Sequence, residues 1–231
     1  MKTCLLCTGV LAAFLVIVAP LQATVLAPGG AAEPVSAEAL PAGSIVSNGG
    51  NVALVSFTGI DAQGHTRYQG TLYFAVYQEA ATGYLDFLYQ IQNSKKSHDS
   101  LERTTNVDFS AAAGFVDAGY LAGGAPAGFL KGSRAPSTAD LSDDSSVVGF
   151  NFPSGKSSSI GPGVTTDVYV ISTHVKAFRA GSTSILNGAA VTVSTFAPGP
   201  EPSALVLFGG CFLGLAGWAG WRRWRGRSVS A

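Results

Sequence analysis

The sequence predicts an all-β protein whose central body is an antiparallel β-sandwich. Short strand-like runs recur between residues 51 and 197, apolar and polar side chains alternate within them, and Gly- and Asn-rich turns separate them. No stretch of the body shows helical periodicity of useful length. Charged residues make up 12% of the chain, about half the usual share, and there are 29 glycines, a composition that suits an extracytoplasmic β-rich protein.

The runs fall at Val52 to Thr58, Tyr68 to Glu79, Tyr84 to Gln92, Thr104 to Phe109, Val147 to Phe152, Thr166 to Val175 and Ala190 to Phe196. In "GTLYFAVYQ", Leu72, Phe74 and Val76 share one face, with Tyr73, Ala75 and Tyr77 on the other. In "YLDFLYQIQ", Leu85, Phe87, Tyr89 and Ile91 oppose Asp86, Gln90 and Gln92. "AATG" between these runs reads as a hairpin turn. Residues 24–50 are rich in Ala, Pro and Gly and read as a flexible leader, with at most one edge strand at Ser44 to Ser47. Long loops are expected at 121–146 and 153–163.

Fourteen basic residues balance fourteen acidic ones. Setting aside Lys2, the four arginines of the tail and Glu201, residues 24–200 hold nine basic against thirteen acidic, so the body is mildly acidic. That composition argues against a nucleic-acid partner. Cys4, Cys7 and Cys211 all lie in the terminal apolar segments. The body therefore has no disulfide framework and relies on its own core.

The two ends are segments of a different kind. "MKTCLLCTGVLAAFLVIVAPLQA" places Lys2 before an apolar run from Leu5 to Ala19, the layout of a secretory signal peptide over residues 1–23, with cleavage after Ala23 or, second, Ala27. Near the other end, Ala204 to Trp221 carries no charge, and as a helix its eighteen residues would span about 27 Å, close to the hydrocarbon thickness of a bilayer. Trp218, Trp221 and Trp224 suit a lipid–water interface. Arg222, Arg223, Arg225 and Arg227 follow, and such a cluster stays on the cytoplasmic side.

Pro200, Glu201 and Pro202, then this apolar helix, then the terminal arginines, resemble the PEP-CTERM sorting signal of exported proteins in Gram-negative bacteria. The resemblance covers residues 198–227, with Gly199 where the family often has Val. It implies recognition and processing by exosortase. It also implies an inner-membrane-anchored precursor with a periplasmic body, then residence in the cell envelope or outside the cell, often near extracellular polysaccharide. The two prolines lack amide donors and disfavour helix, so the motif should be extended at the membrane surface. Glu201 is the only charge between Arg179 and Arg222. "LDFLYQIQNS", "VVGFNFP" and "IGPGVTTDVYVIST" look like a recurrent ectodomain of such proteins, which supplies no activity.

Chemistry in the body is sparse. "SGKSS" at 154–158 lacks the first glycine of a phosphate-binding loop, since Phe150 stands there, and Lys156 reads as a loop residue. Ser97, His98 and Asp99 are adjacent, whereas a catalytic triad needs groups that converge in space. His65 and His174 are isolated and show no zinc spacing. Asp140, Asp143 and Asp144 are the one candidate for a hard cation such as Ca²⁺, against the plainer reading of a solvated acidic loop. Tyr73, Tyr77 and Tyr120 could stack on sugars or simply pack on strands. The expectation is a structural or interaction protein with no enzyme activity and no cofactor, or alternatively a carbohydrate-binding module acting on exopolysaccharide.

Overall fold

The computed structural model describes residues 24–33, 35–152 and 159–200. The signal peptide, Glu201, Pro202, the apolar stretch 204–221, the arginine cluster and Lys156 lie outside the described residues. The described chain is all-β, with two antiparallel sheets facing each other across one apolar core. Its strands are β1 (Thr24–Val25), β2 (Ala31–Ala32), β3 (Ser36–Glu38), β4 (Gly43–Ile45), β5 (Ala53–Ile60), β6 (Thr66–Glu79) and β7 (Leu85–Asn93). They continue as β8 (Arg103–Val107), β9 (Val116–Leu121), β10 (Thr138–Leu141), β11 (Val147–Asn151), β12 (Val168–Thr173), β13 (Phe178–Asn187) and β14 (Ala189–Pro198).

The first sheet runs β1-β9-β12-β7-β6-β4, with β3 also on β9 and β5 also on β6; the second runs β14-β13-β8-β11-β10-β2. Among the described strands, β3 on β9 is the one parallel pairing. The β6–β7 hairpin turns where "AATG" predicts it, with Gly83 at φ 72°. Leu72, Phe74 and Val76 of β6, and Leu85, Phe87, Tyr89 and Ile91 of β7, enter the core as the alternation requires. From the second sheet they meet Val148, Phe150 and Ile185. Each large side chain so buried contributes about 1.5–3 kcal/mol of transfer free energy.

Two tyrosines tie the sheets together. Tyr68 of β6 is fully buried and shares its one hydroxyl proton between the carbonyls of Ile185 (2.8 Å) and Ala189 (2.9 Å) across the core. Tyr89 of β7 donates to the Phe196 carbonyl (2.9 Å). The strands lacking cysteines are thus cross-linked by hydrogen bonds, each worth about 1 kcal/mol net but more when its loss strands a buried carbonyl.

The leader expected at 24–50 is instead part of the fold. β1 and β3 extend the first sheet along β9, β2 extends the second along β10, and β4 pairs with β6. Leu26, Ala32 and Val35 sit in the core. Ala, Pro and Gly make short strands invisible to periodicity, and here tertiary pairing, not local pattern, decides. The folded unit therefore includes strands that precede Asn51, from Thr24 onward among the described residues. The long loop expected at 121–146 likewise contains β10, and its Leu130 is clamped by the Gln90 amide, which donates to the Leu130 carbonyl (2.8 Å) while accepting from the Leu130 N–H (2.8 Å).

Candidate functional site

The sequence-predicted acidic loop does not converge on a cation. Asp140 lies on β10 in a two-pronged ion pair with Arg103 of β8, both contacts 2.7 Å, and Asn151 completes the group. The Arg103 guanidinium holds the Asp140 carboxyl below its ordinary range. The pair lies over Gly149, where a Cβ would come within 2.3 Å of Arg103 Nη2 and 2.7 Å of Asp140 Oδ1. Asp144 closes its own turn by accepting from the Ser142 and Ser146 hydroxyls, which hold its carboxyl down to about 2. Asp143 lies instead beside Gly29. Among the described residues no three Asp, Glu, His or Cys side chains form a metal-holding group.

Ser97, His98 and Asp99 diverge as expected. The Ser97 hydroxyl is spent on the backbone of Gln69, donating to its carbonyl and accepting from its N–H, while Asp99 pairs with Arg67 at 2.6 Å. His65 is exposed, 3.5 Å from Asp61. Of the three tyrosines, Tyr77 is buried and donates to the Pro41 carbonyl (2.8 Å), so it cannot stack on a ligand. Tyr120 packs against the core. Tyr73 and Tyr120 are both half-exposed, but only Tyr73 lies on the β6 face beside open side chains, its hydroxyl 3.5 Å from Gln92 Oε1.

Beside Tyr73, the outer face of β5, β6 and β7 forms an open trough of about 610 Å³. Ser56, Thr71 and Gln92 sit in register across the three strands, with Thr58, Gln69 and Ser94 around them. Lys95 and Lys96 close one end. The lining is rich in hydroxyls and amides, carries two positive charges and has no carboxylate.

The other feature of this sheet was not legible in the sequence. Register places Tyr77, Asp86, Ser172 and Asp117 in one row across β6, β7, β12 and β9. The adjacent row is Glu79, Tyr84, His174 and Phe115, in which the imidazole is stacked between two rings, 4.5 Å from Tyr84 and 3.5 Å from Phe115. On the other side, the Glu38 carboxyl of β3 leans over Gly119, where a Cβ would meet it at 2.6 Å. This face is covered, not solvated: Leu40, Ile45 and Phe129 pack on Tyr77, Leu88, Leu121, Val168 and Val170.

Three carboxyls are thus enclosed together. Asp86 is 1% exposed, Asp117 is 8% exposed and Glu38 is half-buried. Burial, with the nearby Asp86 and Asp117 charges, pushes Glu38 up to about 8. Burial raises Asp86 to about 7 against a lowering contribution from the Ser172 hydroxyl, and raises Asp117 to about 6 against the Ala118 N–H. No hydrogen bond of ordinary geometry reaches either oxygen of Asp86, Oε1 of Glu38 or Oδ1 of Asp117. Among the described residues no ion pair includes any of the three.

Comparison with family models, with curated proteins and with solved structures finds no match to this chain.

Proposed function

We propose that this chain is an exported envelope or extracellular-matrix protein with a structural or interaction role, a β-sandwich ectodomain delivered by its C-terminal sorting signal. The observation that carries the reading is the ordered tail: Pro200, Glu201 and Pro202, the uncharged stretch 204–221, then four arginines. The junction supports it. β14 stays paired through Pro198, opposite Phe178, and the Gly199 N–H donates to the Ala177 carbonyl at 2.8 Å. The motif therefore starts directly at the edge of the folded body, with Pro200 exposed. Exosortase is the partner this implies, with the inner membrane holding the precursor through the apolar helix.

Hydrophobicity alone retains a helix of this length, so the motif is dispensable for insertion and needed for recognition. Changing Pro200, Glu201 and Pro202 together to alanine is expected to leave membrane insertion intact and to block processing in an exosortase-bearing host. The uncut precursor would accumulate in the membrane fraction. Release of this variant at the parental rate would reduce the motif to a linker and remove the sorting assignment.

The trough favours a second reading, an ectodomain that binds exopolysaccharide. Hydroxyl and amide side chains match sugar hydroxyls, and Lys95 and Lys96 favour acidic sugars. Gln92→Ala combined with Lys95→Glu is expected to weaken binding to an acidic polysaccharide at least about tenfold, the effect of losing roughly 1.4 kcal/mol. Equal retention of both proteins on an immobilised acidic glycan would discard this site.

A further inference from the structure

We propose that Glu38, Asp86 and Asp117 form a proton-operated latch, which holds residues 35–45 down on the outer face of the first sheet while protons are retained and loosens it when they are lost. The latch has one half on each partner. Glu38 belongs to the strap, while Asp86 and Asp117 belong to the sheet beneath it, on β7 and β9.

Beyond Val35, which is anchored in the core with its N–H on the Ser137 carbonyl, the strap is held by short pairings. β3 has three residues paired with β9, and β4 has three paired with β6. Between them the Tyr77 hydroxyl holds the Pro41 carbonyl, and the Ala80 N–H holds that of Ala42. Leu40 and Ile45 supply the apolar contact. Short edge pairings of this kind open with a small free energy, so a few charges can decide whether they form.

Hydrogen-bond inventory leads to the proton. An ionised carboxylate only accepts, whereas a protonated one also donates. Both Asp86 oxygens are enclosed and only the Ser172 hydroxyl lies near them, without a hydrogen bond of ordinary geometry, so a fully ionised trio would leave several buried acceptors poorly met beside like charges. Protons remove the repulsion and supply donors at once. The other titratable groups on this face do not replace them. From β6 come Glu79, whose charge adds to the repulsion on Asp86, and Tyr77, already engaged with Pro41. From the end of β12 come His174, stacked between Tyr84 and Phe115, and then Lys176, whose ammonium lies 5.4 Å from the Tyr84 ring centre. Among the described residues no ion pair includes Glu38, Asp86 or Asp117.

The sign of the dependence follows from the direction of the shifts. All three carboxyls are raised when docked, so docking is favoured by protonation. The stabilisation is intact below the ordinary carboxyl range near pH 4. It is lost as pH rises through about 6, 7 and 8, the raised values of Asp117, Asp86 and Glu38.

The test is hydrogen exchange with mass spectrometry on the full chain in detergent, with a chelator present, at about pH 5 and about pH 8.5, after correction for intrinsic rates. Each linked group changes the docking equilibrium by up to about tenfold per pH unit. Protection of residues 35–45 is therefore expected to fall at least about tenfold across the range, while the core of β7 stays protected. Asp86→Asn, neutral and of the same shape, is expected to flatten the profile, as is Glu38→Gln. Equal protection at both pH values, or an unchanged slope in Asp86→Asn, would overturn the latch. So would full protection at the higher pH on replacing chelator with millimolar calcium, which would make the trio a cation site.

Discussion

Alanine at Gly59 is expected to destabilise the protein by about 3–5 kcal/mol, from overpacking together with stranded buried carbonyls. Gly59 pairs with Tyr68 across β5 and β6, and a Cβ there would lie 2.2 Å from the ring carbon that bears the hydroxyl, with two more ring atoms within 2.6 Å. The ring cannot swing aside without giving up the two carbonyls, of Ile185 and Ala189, that it holds in the opposite sheet. Burial pushes the phenol up to about 12, so it remains a donor through the neutral range. A thermal melt of Gly59→Ala should therefore fall by about 10 °C relative to the parent. Gly123→Ala, where a Cβ meets nothing within 4 Å, should stay within about 0.5 kcal/mol. Equal melting of parent and Gly59→Ala would mean that Tyr68 does not join the sheets as described.

The larger effect is expected from removing the N-terminal strands. A chain of residues 51–197 lacks Leu26 and Val35 from the core and Leu40 and Ile45 from the outer face. At about 1.5–3 kcal/mol each, these four losses rival the 5–15 kcal/mol of total stability typical of a domain. Residues 24–200 are expected to give a β-dominated circular dichroism spectrum and a cooperative melt indifferent to reducing agent, since no cysteine lies in that span. Residues 51–197 are expected to aggregate or melt without cooperativity. A shared melting temperature would show that β1 to β4 add no stability.

The β6–β7 hairpin was legible because its apolar face alternates and one short turn joins two long strands, so local pattern and tertiary role agree. β13, "FRAGSTSILN", was not, because only Thr183 and Ile185 are buried in it and the rest is Gly, Ser and exposed chain. β9, "VDAGYL", fails for the opposite reason: nearly all of it is buried, so no alternation marks it. Asp86 shows the same limit at the candidate site. Its position opposite Leu85 and Phe87 reads as solvent-facing, and the face it shares is indeed the second one. The cover comes from residues 35–45, far away in sequence and without strand pattern of their own. The tail's three-part order, by contrast, is carried by contiguous residues and is readable without a fold.

The body also has a direction. Its chain departs at Gly199, fastened to Ala177, on the same end as Val175 and the start of β7. The trough lies toward the other end, at the level of Gln69 and Thr71, near where Tyr68 meets the β13–β14 turn. Some eight residues of strand separate the two levels, about 25 Å. The carboxyl trio thus lies at the end where the chain departs, and the trough at the far end. That separation is about three Debye lengths of physiological salt, so charge at one end is screened from the other. A ligand in the trough would therefore meet the protein without feeling whether the trio at the other end holds its protons.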